Sequence, residues 1–406
     1  MSSIPQNKKN ENEISDFVTN FMKEFQIGKL LFQCNAGKLK GIPVMDVFRY
    51  LFCLIFSDRS MYMQQKTGVF EAGFCKNTVY RFLNNTKTNW LRFTTILSAR
   101  IINSFMKPLT SDTRKDVFII DDSLFDRSRS SKTELLAKVF DHCSMKYKRG
   151  FRMLTLGWSD GNSFIPVNHC LLSAADDKNL LCNAENFDGR SLAGKRRKQS
   201  RHKATEVMID LIRTAQQSGL TAKYVLFDSW FSSPKTITAI KQEEKLDVIA
   251  MVKKSSKVKY GYQGKMLNIK EIYRKNRKRR GRSRYLLSIE VTIGTEAIPA
   301  KIVYVRNKSK KKDWLAIIST DTELSEEEII RIYGKRWDIE VFFCLMDELD
   351  DITFSQSMRI IIDALMDAVM EYFHITEQQL EEFTASFIQR LPKYMQNALS
   401  YGESAS

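Results

Sequence analysis

The residues best suited to chemistry lie in Tyr333-Gly-Lys-Arg336-Trp-Asp-Ile-Glu340-Val-Phe-Phe343. Ser325 and Glu328 precede them as a capping box, S-x-x-E ahead of an apolar run, so the stretch is expected to close a helix. Steps of three and four put Tyr333, Arg336 and Glu340 on one face, while Ile329, Ile330, Ile332, Ile339 and Phe343 supply apolar bulk to others. A carboxylate one turn from a guanidinium, with a phenol beside them, suits a site that holds a metal and a phosphate together. The simpler alternative is an amphipathic helix with an i,i+4 Arg–Glu pair. Two further acids stand out by position. Val117-Phe-Ile-Ile-Asp121 and Lys223-Tyr-Val-Leu-Phe-Asp228 are apolar, strand-like runs that end on a carboxylate. A cap or turn role competes for each acid taken singly. Together, in the order strand, strand, helix, they form an oxygen-rich set for two Mg²⁺ or Mn²⁺ ions. Such ions, about 3.5–4 Å apart, hold the attacking and leaving oxygens of an in-line phosphoryl transfer.

The elements that must position these groups can be read along the chain. Residues 1–15 are polar and expected to be disordered. Residues 16–110 are expected to form a helical DNA-binding domain, with Phe17, Phe21 and Phe25 at four-residue steps. Within it, Phe74–Asn85 reads as a short helix capped by Asn77 or Thr78. Its polar side, with Lys76 and Arg81, suits a recognition helix or the outside of a plain helical bundle. After Asp121, the runs Phe151–Trp158 and Ser163–Leu172 flank Asp160-Gly161, a hairpin signal, giving three consecutive antiparallel strands. Gly189–Lys203, with Lys195, Arg196, Arg197 and Lys198, reads as a basic loop that touches phosphate. Ala204–Ser218 and the segment from Pro234 to about Glu244 are expected helices around the Asp228 strand, and Asp247–Val252 another strand. Residues 253–312 read as a β-rich insertion with basic loops, after which Trp314–Thr320 returns to the core.

Bulk properties narrow the function. A length of 406 residues argues for two or three domains, and 43% hydrophobic content for a folded chain. A net charge of +17 favours a polyanionic partner, nucleic acid before anionic membrane. No run of eighteen apolar residues predicts a membrane span, and the first residues lack the apolar core of a signal peptide. Seven scattered cysteines without a CxxC pair read as reduced, mostly buried thiols of a cytosolic protein, and four scattered histidines argue against a His-ligated metal.

With these residues in view, the chain resembles the DDE transposases of bacterial insertion sequences, in the group marked by a Y-(2)-R-(3)-E-(6)-K signature (the insertion-sequence-four type). The resemblance rests on Ile119-Ile-Asp121-Asp-Ser, Val225-Leu-Phe-Asp228-Ser-Trp-Phe and the Tyr333–Phe343 stretch, and runs from about residue 40 to 343. It implies an α/β fold: an RNase H-like catalytic core over 115–252 and 313–349, interrupted by the β-rich insertion 253–312. Asp121, Asp228 and Glu340 would be catalytic residues and metal ligands, with Asp121 preferred to Asp122 because D-x-S/T is the family form. Tyr333 and Arg336 would position DNA phosphates. Trp230 is placed to stack on an extruded base, or else to pack in the interior. The implied partners are double-stranded DNA, as terminal inverted repeats and as target, and a second copy of the chain in a homodimer. The implied location is the bacterial cytoplasm and nucleoid.

The pattern then breaks. Asp347 stands where the family has lysine, seven residues after Glu340. Residues 341–406 hold three Lys/Arg against eleven Asp/Glu, so the positive charge belongs to residues before them. An internal deletion after Phe343 is expected to have joined an acidic helical tail, 350–406, directly to the motif. The alternative function is therefore a catalytically defective remnant that binds DNA without cutting it.

Overall fold

In a computed structural model the described residues are 18–349, without 39, 55–60, 69–71, 112, 142–143, 280–282 and 308–312; of 345–349 only the backbone is described. The expected disordered N-terminus and the acidic tail over 350–406 lie outside the described residues, as does the side chain of Asp347. The chain divides into two compact units.

Of the described residues, the first unit holds those between Lys38 and Asn84 together with 18–28 and 342–349. Helix α1 (Ile27–Gln33) passes from this unit into the second. Helices α2 (Val44–Cys53), α3 (Met61–Lys66) and α4 (Lys76–Leu83) follow. Aromatic contacts hold them, with Phe21 stacked on Phe52 at 5.7 Å and the Tyr50 hydroxyl donating to Gln64 Oε1 at 2.8 Å. Helix α4 buries Thr78, Val79 and Phe82 and leaves Lys76, Asn77, Tyr80 and Arg81 exposed. It begins earlier than Asn77 or Thr78 as cap would require: Cys75 is the N-cap, and Thr78 is buried in the first turns.

The second unit, Asn85–Val341 with Lys29–Gly37, is built on one sheet of eleven described strands. Helix α5 (Trp90–Ile101), capped by the Asn89 side chain, leads into β1 (Val117–Asp126), β2 (Ala137–Asp141), β3 (Lys146–Ser159) and β4 (Phe164–Leu172). Helices α6 (Leu192–Ser200) and α7 (Ala204–Gln217) precede β5 (Tyr224–Phe227), then α8 (Pro234–Ala239) and β6 (Asp247–Met251). The basic segment gives β7 (Lys259–Tyr262), β8 (Lys265–Asn268), α9 (Ile269–Lys275), β9 (Tyr285–Ile293) and β10 (Ile298–Arg306). Strand β11 (Trp314–Ser319) and helices α10 (Glu326–Gly334) and α11 (Trp337–Leu349) end the described chain.

Strand β1 lies between β3, which is antiparallel to it, and β5, which is parallel; β6 is parallel to β5, and β4 pairs with the far side of β3. This central order fits the expected RNase H-like fold. Beyond β6 the sheet continues through β11, β10, β9, β7 and β8, so the strands of the basic segment extend the core sheet.

Alternation along the strands explains why the sequence is apolar there almost without interruption. Phe118, Ile120, Leu154, Leu156, Val225, Phe227, Val248 and Ala250 share one core with Val207, Leu211 and Ile212 of α7. Val117, Ile119, Tyr224, Leu226 and Ile249 alternate with them, are fully buried, and face the other side. There α10 packs against β6 and β11. Truncating Phe118 to alanine would cost about 3–5 kcal/mol at such a site. Asn168, buried on the first side, donates to Thr95 Oγ1 and to the Leu211 carbonyl, both at 3.2 Å, and so ties β4 to α5 and α7.

Candidate active site

Strand β1 positions the first acid. Asp121 was expected at a strand tip, but β1 runs on to Asp126, paired throughout with β3. What stops at Ile119 is the pairing with β5. Ile119 stands beside Leu226 in that register, and Asp228 follows two residues later, just past the end of β5, close enough for its charge to act on Asp121. Asp121 thus lies on β1 just beyond the point where its pairing with β5 stops.

Asp121 and Asp122 alternate to opposite faces. Asp122 is held by Arg152 of β3, whose Nε and Nη2 both donate to its carboxylate. Asp121 instead receives the Asp122 amide at 2.8 Å and Arg336 Nη1 at 3.2 Å. Burial raises the Asp121 pKa to about 7, helped by the Asp228 and Asp122 charges and opposed by the Asp122 amide and Arg336. Lost hydration and crowding by like charge therefore outweigh the ion pair.

Asp228 follows β5 directly, and its Oδ1 accepts the Trp230 amide at 2.8 Å, closing a tight turn. That turn throws the Trp230 ring outward. It is 58% exposed, with Lys253 Nζ 5.2 Å from the ring centre, so the interior-packing alternative does not hold.

The third group is carried by a helix corner. The capping box is present: Ser325 accepts the Glu328 amide, and Glu328 accepts the Ser325 amide. The expected single helix, however, breaks. Amides of Lys335 and Arg336 donate three residues back, to Ile332 and Tyr333, before α11 starts at Trp337. Despite the break Arg336 joins the groups expected together, with Nη2 2.6 Å from Glu340 Oε1 and Nη1 3.2 Å from Asp121. Its guanidinium lies 5.9 Å from the Tyr333 ring centre. Burial, with the Asp228 and Asp121 charges, pushes the Tyr333 phenol up to about 12. The Tyr333 hydroxyl and Arg336 Nε are buried without hydrogen-bond partners. Thr155, on the strand residue paired with Asp121, leaves its hydroxyl in the same condition. Unpaired buried polar atoms are costly.

Carboxylate oxygens are the donors that Mg²⁺ and Mn²⁺ select, and Asp228 is close enough for its charge to act on Asp121, so the donor chemistry fits such ions. Among the described residues, however, no three His, Cys, Asp or Glu side chains are gathered closely enough to hold one ion. Arg336 explains why: it is the cation bound between Asp121 and Glu340.

The basic run expected as a loop is helix α6, because Ser191 caps it by accepting the Gly194 amide and Leu192 and Ala193 start an α-turn. Lys195, Arg196 and Lys198 are exposed. Arg197 turns inward to Glu134, with Nη2 2.5 Å from Oε2, and lies 4.0 Å over the Phe187 ring. Two residues escaped the sequence reading. Arg152 settles which aspartate of the pair is available, and only strand register reveals it. Lys335 lies inside the recognised motif but buries its ammonium at the helix corner, where nothing in local spacing announces a partner.

Among the described residues no helix is long and apolar enough to cross a membrane. No curated protein matches the chain. A family model, the DDE superfamily endonucleases, matches residues 52–314, a span that contains Asp121 and Asp228 and stops short of Tyr333, Arg336 and Glu340. The family comprises nucleases and transposases that act on DNA and generally use divalent metal ions. The match covers more than half of the sequence, and on it this chain belongs to the DDE superfamily of endonucleases.

Proposed function

We propose that the chain is a DNA transposase of the insertion-sequence-four type, with Asp121, Asp228 and Glu340 as catalytic residues and ligands for two Mg²⁺ or Mn²⁺ ions. The observation that carries this reading is Arg336, which links Asp121 to Glu340, with Asp228 directly after the strand that runs parallel to β1. When bound, the ions supply charge neutralisation at phosphorus and a lowered pKa for the attacking oxygen. In hydrolysis at the element's end, a water oxygen bonds to phosphorus, the bond to the 3′-oxygen breaks, and the proton lost by water balances the one gained by the 3′-hydroxyl. In strand transfer that 3′-hydroxyl attacks a target phosphodiester in the same way.

The chain's own residues account for binding and orientation. Arg336 and Tyr333 offer unused donors beside the acids to phosphate oxygens. Trp230 presents an exposed face for an extruded base. Lys195, Arg196 and Lys198 neutralise phosphates along α6, and Arg197 holds that helix to Glu134. The partners in this reading are terminal inverted repeats and target DNA, bound by a homodimer in the bacterial cytoplasm and nucleoid.

Two observations favour a second reading, a DNA-binding remnant without cleavage activity. Asp347 replaces a phosphate-binding lysine with a repelling charge, and Arg336 holds Asp121 and Glu340 as an ion pair network. A supercoiled plasmid carrying the DNA that flanks the coding sequence, incubated with Mn²⁺ or with EDTA, separates the two. Nicking that needs Mn²⁺ and vanishes in Asp228→Ala supports the transposase. Binding with no nicking leaves the remnant.

A further inference from the structure

The corner between α10 and α11 has no continuous helical ladder, yet it must set Arg336 and Glu340 at a fixed height above Asp121. Lys335 sits at that corner and is 8% exposed. Its ammonium donates to the carbonyls of Arg114, of Lys115 at 2.9 Å and of Asp160 at 2.8 Å. An ammonium has three donors, and all three are used on main chain, none on a carboxylate.

The socket is built for this purpose from two distant segments. Arg114 and Lys115 lie just before β1, and Lys115 adopts the left-handed conformation at φ 57° that brings both carbonyls to one side. Asp160 and Gly161 form the turn between β3 and β4. The Asp160 carboxylate accepts the amides of Asn162 and Ser163 at 3.0 and 2.8 Å and pairs with Arg114 Nη1 at 3.2 Å, locking the two segments together. Gly161, at φ +95°, leaves the groove open: a Cβ there would lie 2.9 Å from Lys335 Cε. A second tie lies one step along α11, where Ser159 Oγ donates to Asp338 Oδ2 at 2.5 Å.

We propose that Lys335 is a positioning residue for the reaction proposed above, a clasp that fixes the helix corner on the entry to β1 and on the β3–β4 turn and thereby holds Arg336 and Glu340 in register with Asp121. It touches neither DNA nor the acids. The inference rests on the proposed cleavage activity for its kinetic consequence, but the clasp itself can be read without it.

The test uses the full chain and the flanking-DNA plasmid with Mn²⁺. Lys335→Met keeps the length of the side chain and removes all three donors. Expected is a loss in kcat of about 30- to 100-fold with KM held within about 3-fold, because small misplacements near reacting atoms are costly in rate and not in binding. Amide hydrogen exchange at Arg336, Trp337 and Asp338 should accelerate about 10-fold or more while β5 and β6 keep their protection. Lys115→Gln removes a charge but keeps the carbonyl, and should behave as wild type. Wild-type kcat in Lys335→Met, or unchanged exchange at the corner, would overturn the proposal. If Lys335→Met does not melt cooperatively, Lys335→Gln decides: it keeps an amide donor but not the ammonium's three, and faster exchange at the corner with a kcat drop of about 5-fold supports the clasp, whereas wild-type exchange and kcat overturn it. If the wild-type chain does not nick, the transposase reading falls, and exchange at the corner alone decides the clasp.

Discussion

The two halves of the site are held by different physics. Asp121 is placed by backbone pairing of β1 with β3, and Asp228 by its position directly after β5, which is itself paired with β1 and β6. Arg336 and Glu340 are carried by a helix corner, whose Lys335 ammonium donates to main-chain carbonyls and whose Asp338 accepts from Ser159 Oγ. A ladder distributes its strength over many bonds and survives the loss of any one side chain. A corner concentrates it. The strand half should therefore resist distant substitution, and the helix half should not.

The largest effect comes from the shared chemistry. Asp228→Ala should lower Mn²⁺-dependent nicking by roughly 10³-fold or more while DNA retardation in gels is retained. An equal loss of binding would mean that the acids are structural and that the comparison has no catalytic content. Next, Arg336→Met removes the cation between Asp121 and Glu340. It should lower metal-free stability by about 2–4 kcal/mol in urea unfolding, because two buried-side carboxylates lose their partner. Mn²⁺ should recover part of that loss if the ions take the place of the guanidinium.

The strand half gives the contrast. Arg152→Leu leaves Asp122 buried without its charge partner and should cost about 2–3 kcal/mol. Below the melting range, nicking should remain within about 3-fold of wild type, since backbone pairing still sets Asp121. A loss as large as that of Lys335→Met would erase the distinction between ladder and corner.

A pH series sharpens the same point. The folded pKa of Asp121, raised to about 7, exceeds the ordinary carboxylate value, so the folded state binds a proton more tightly than the unfolded one. Between about pH 4 and pH 7, stability through this group must fall as pH rises. Thermal melting in EDTA should show that slope, and Asp121→Asn should flatten it. The smallest effect belongs to the surface: Lys195→Gln and Lys198→Gln should each reduce the salt dependence of DNA binding by about one counterion, without change in stability. Arg197→Met should do the reverse and act on stability, because Arg197 is engaged with Glu134.

Much of this was legible from residues alone because the signals are local. The capping box at Ser325 and Glu328, the strand at Asp247 and the apolar runs before Asp121 and Asp228 follow from local spacing and residue type. Misreadings fell where local signals conflict. The run Lys195–Lys198 looked like a loop by its charge, but Ser191 caps a helix that tolerates exposed lysines. The helix through Tyr333–Phe343 looked continuous by its apolar period, but the bonds of Lys335 and Arg336 turn to three-residue spacing and split it. Strand β2, short and preceded by a polar loop, carried too little pattern to be seen.

By itself the sequence determined the carriers: two acids on apolar strands, a phenol, a guanidinium and a carboxylate at helical spacing, and a net charge suited to DNA. Those are properties of residue type and of period, and period is a local consequence of backbone geometry. The tertiary structure alone decided which of two adjacent aspartates faces the site, because face is set by pairing with β3 and β5. It also decided that Arg336 bridges two acids 219 residues apart in sequence, Asp121 and Glu340, and that the turn Asp160-Gly161 doubles as a socket for Lys335. Contacts between segments so distant leave no periodic trace, since each partner satisfies its own local pattern whether or not the other is there.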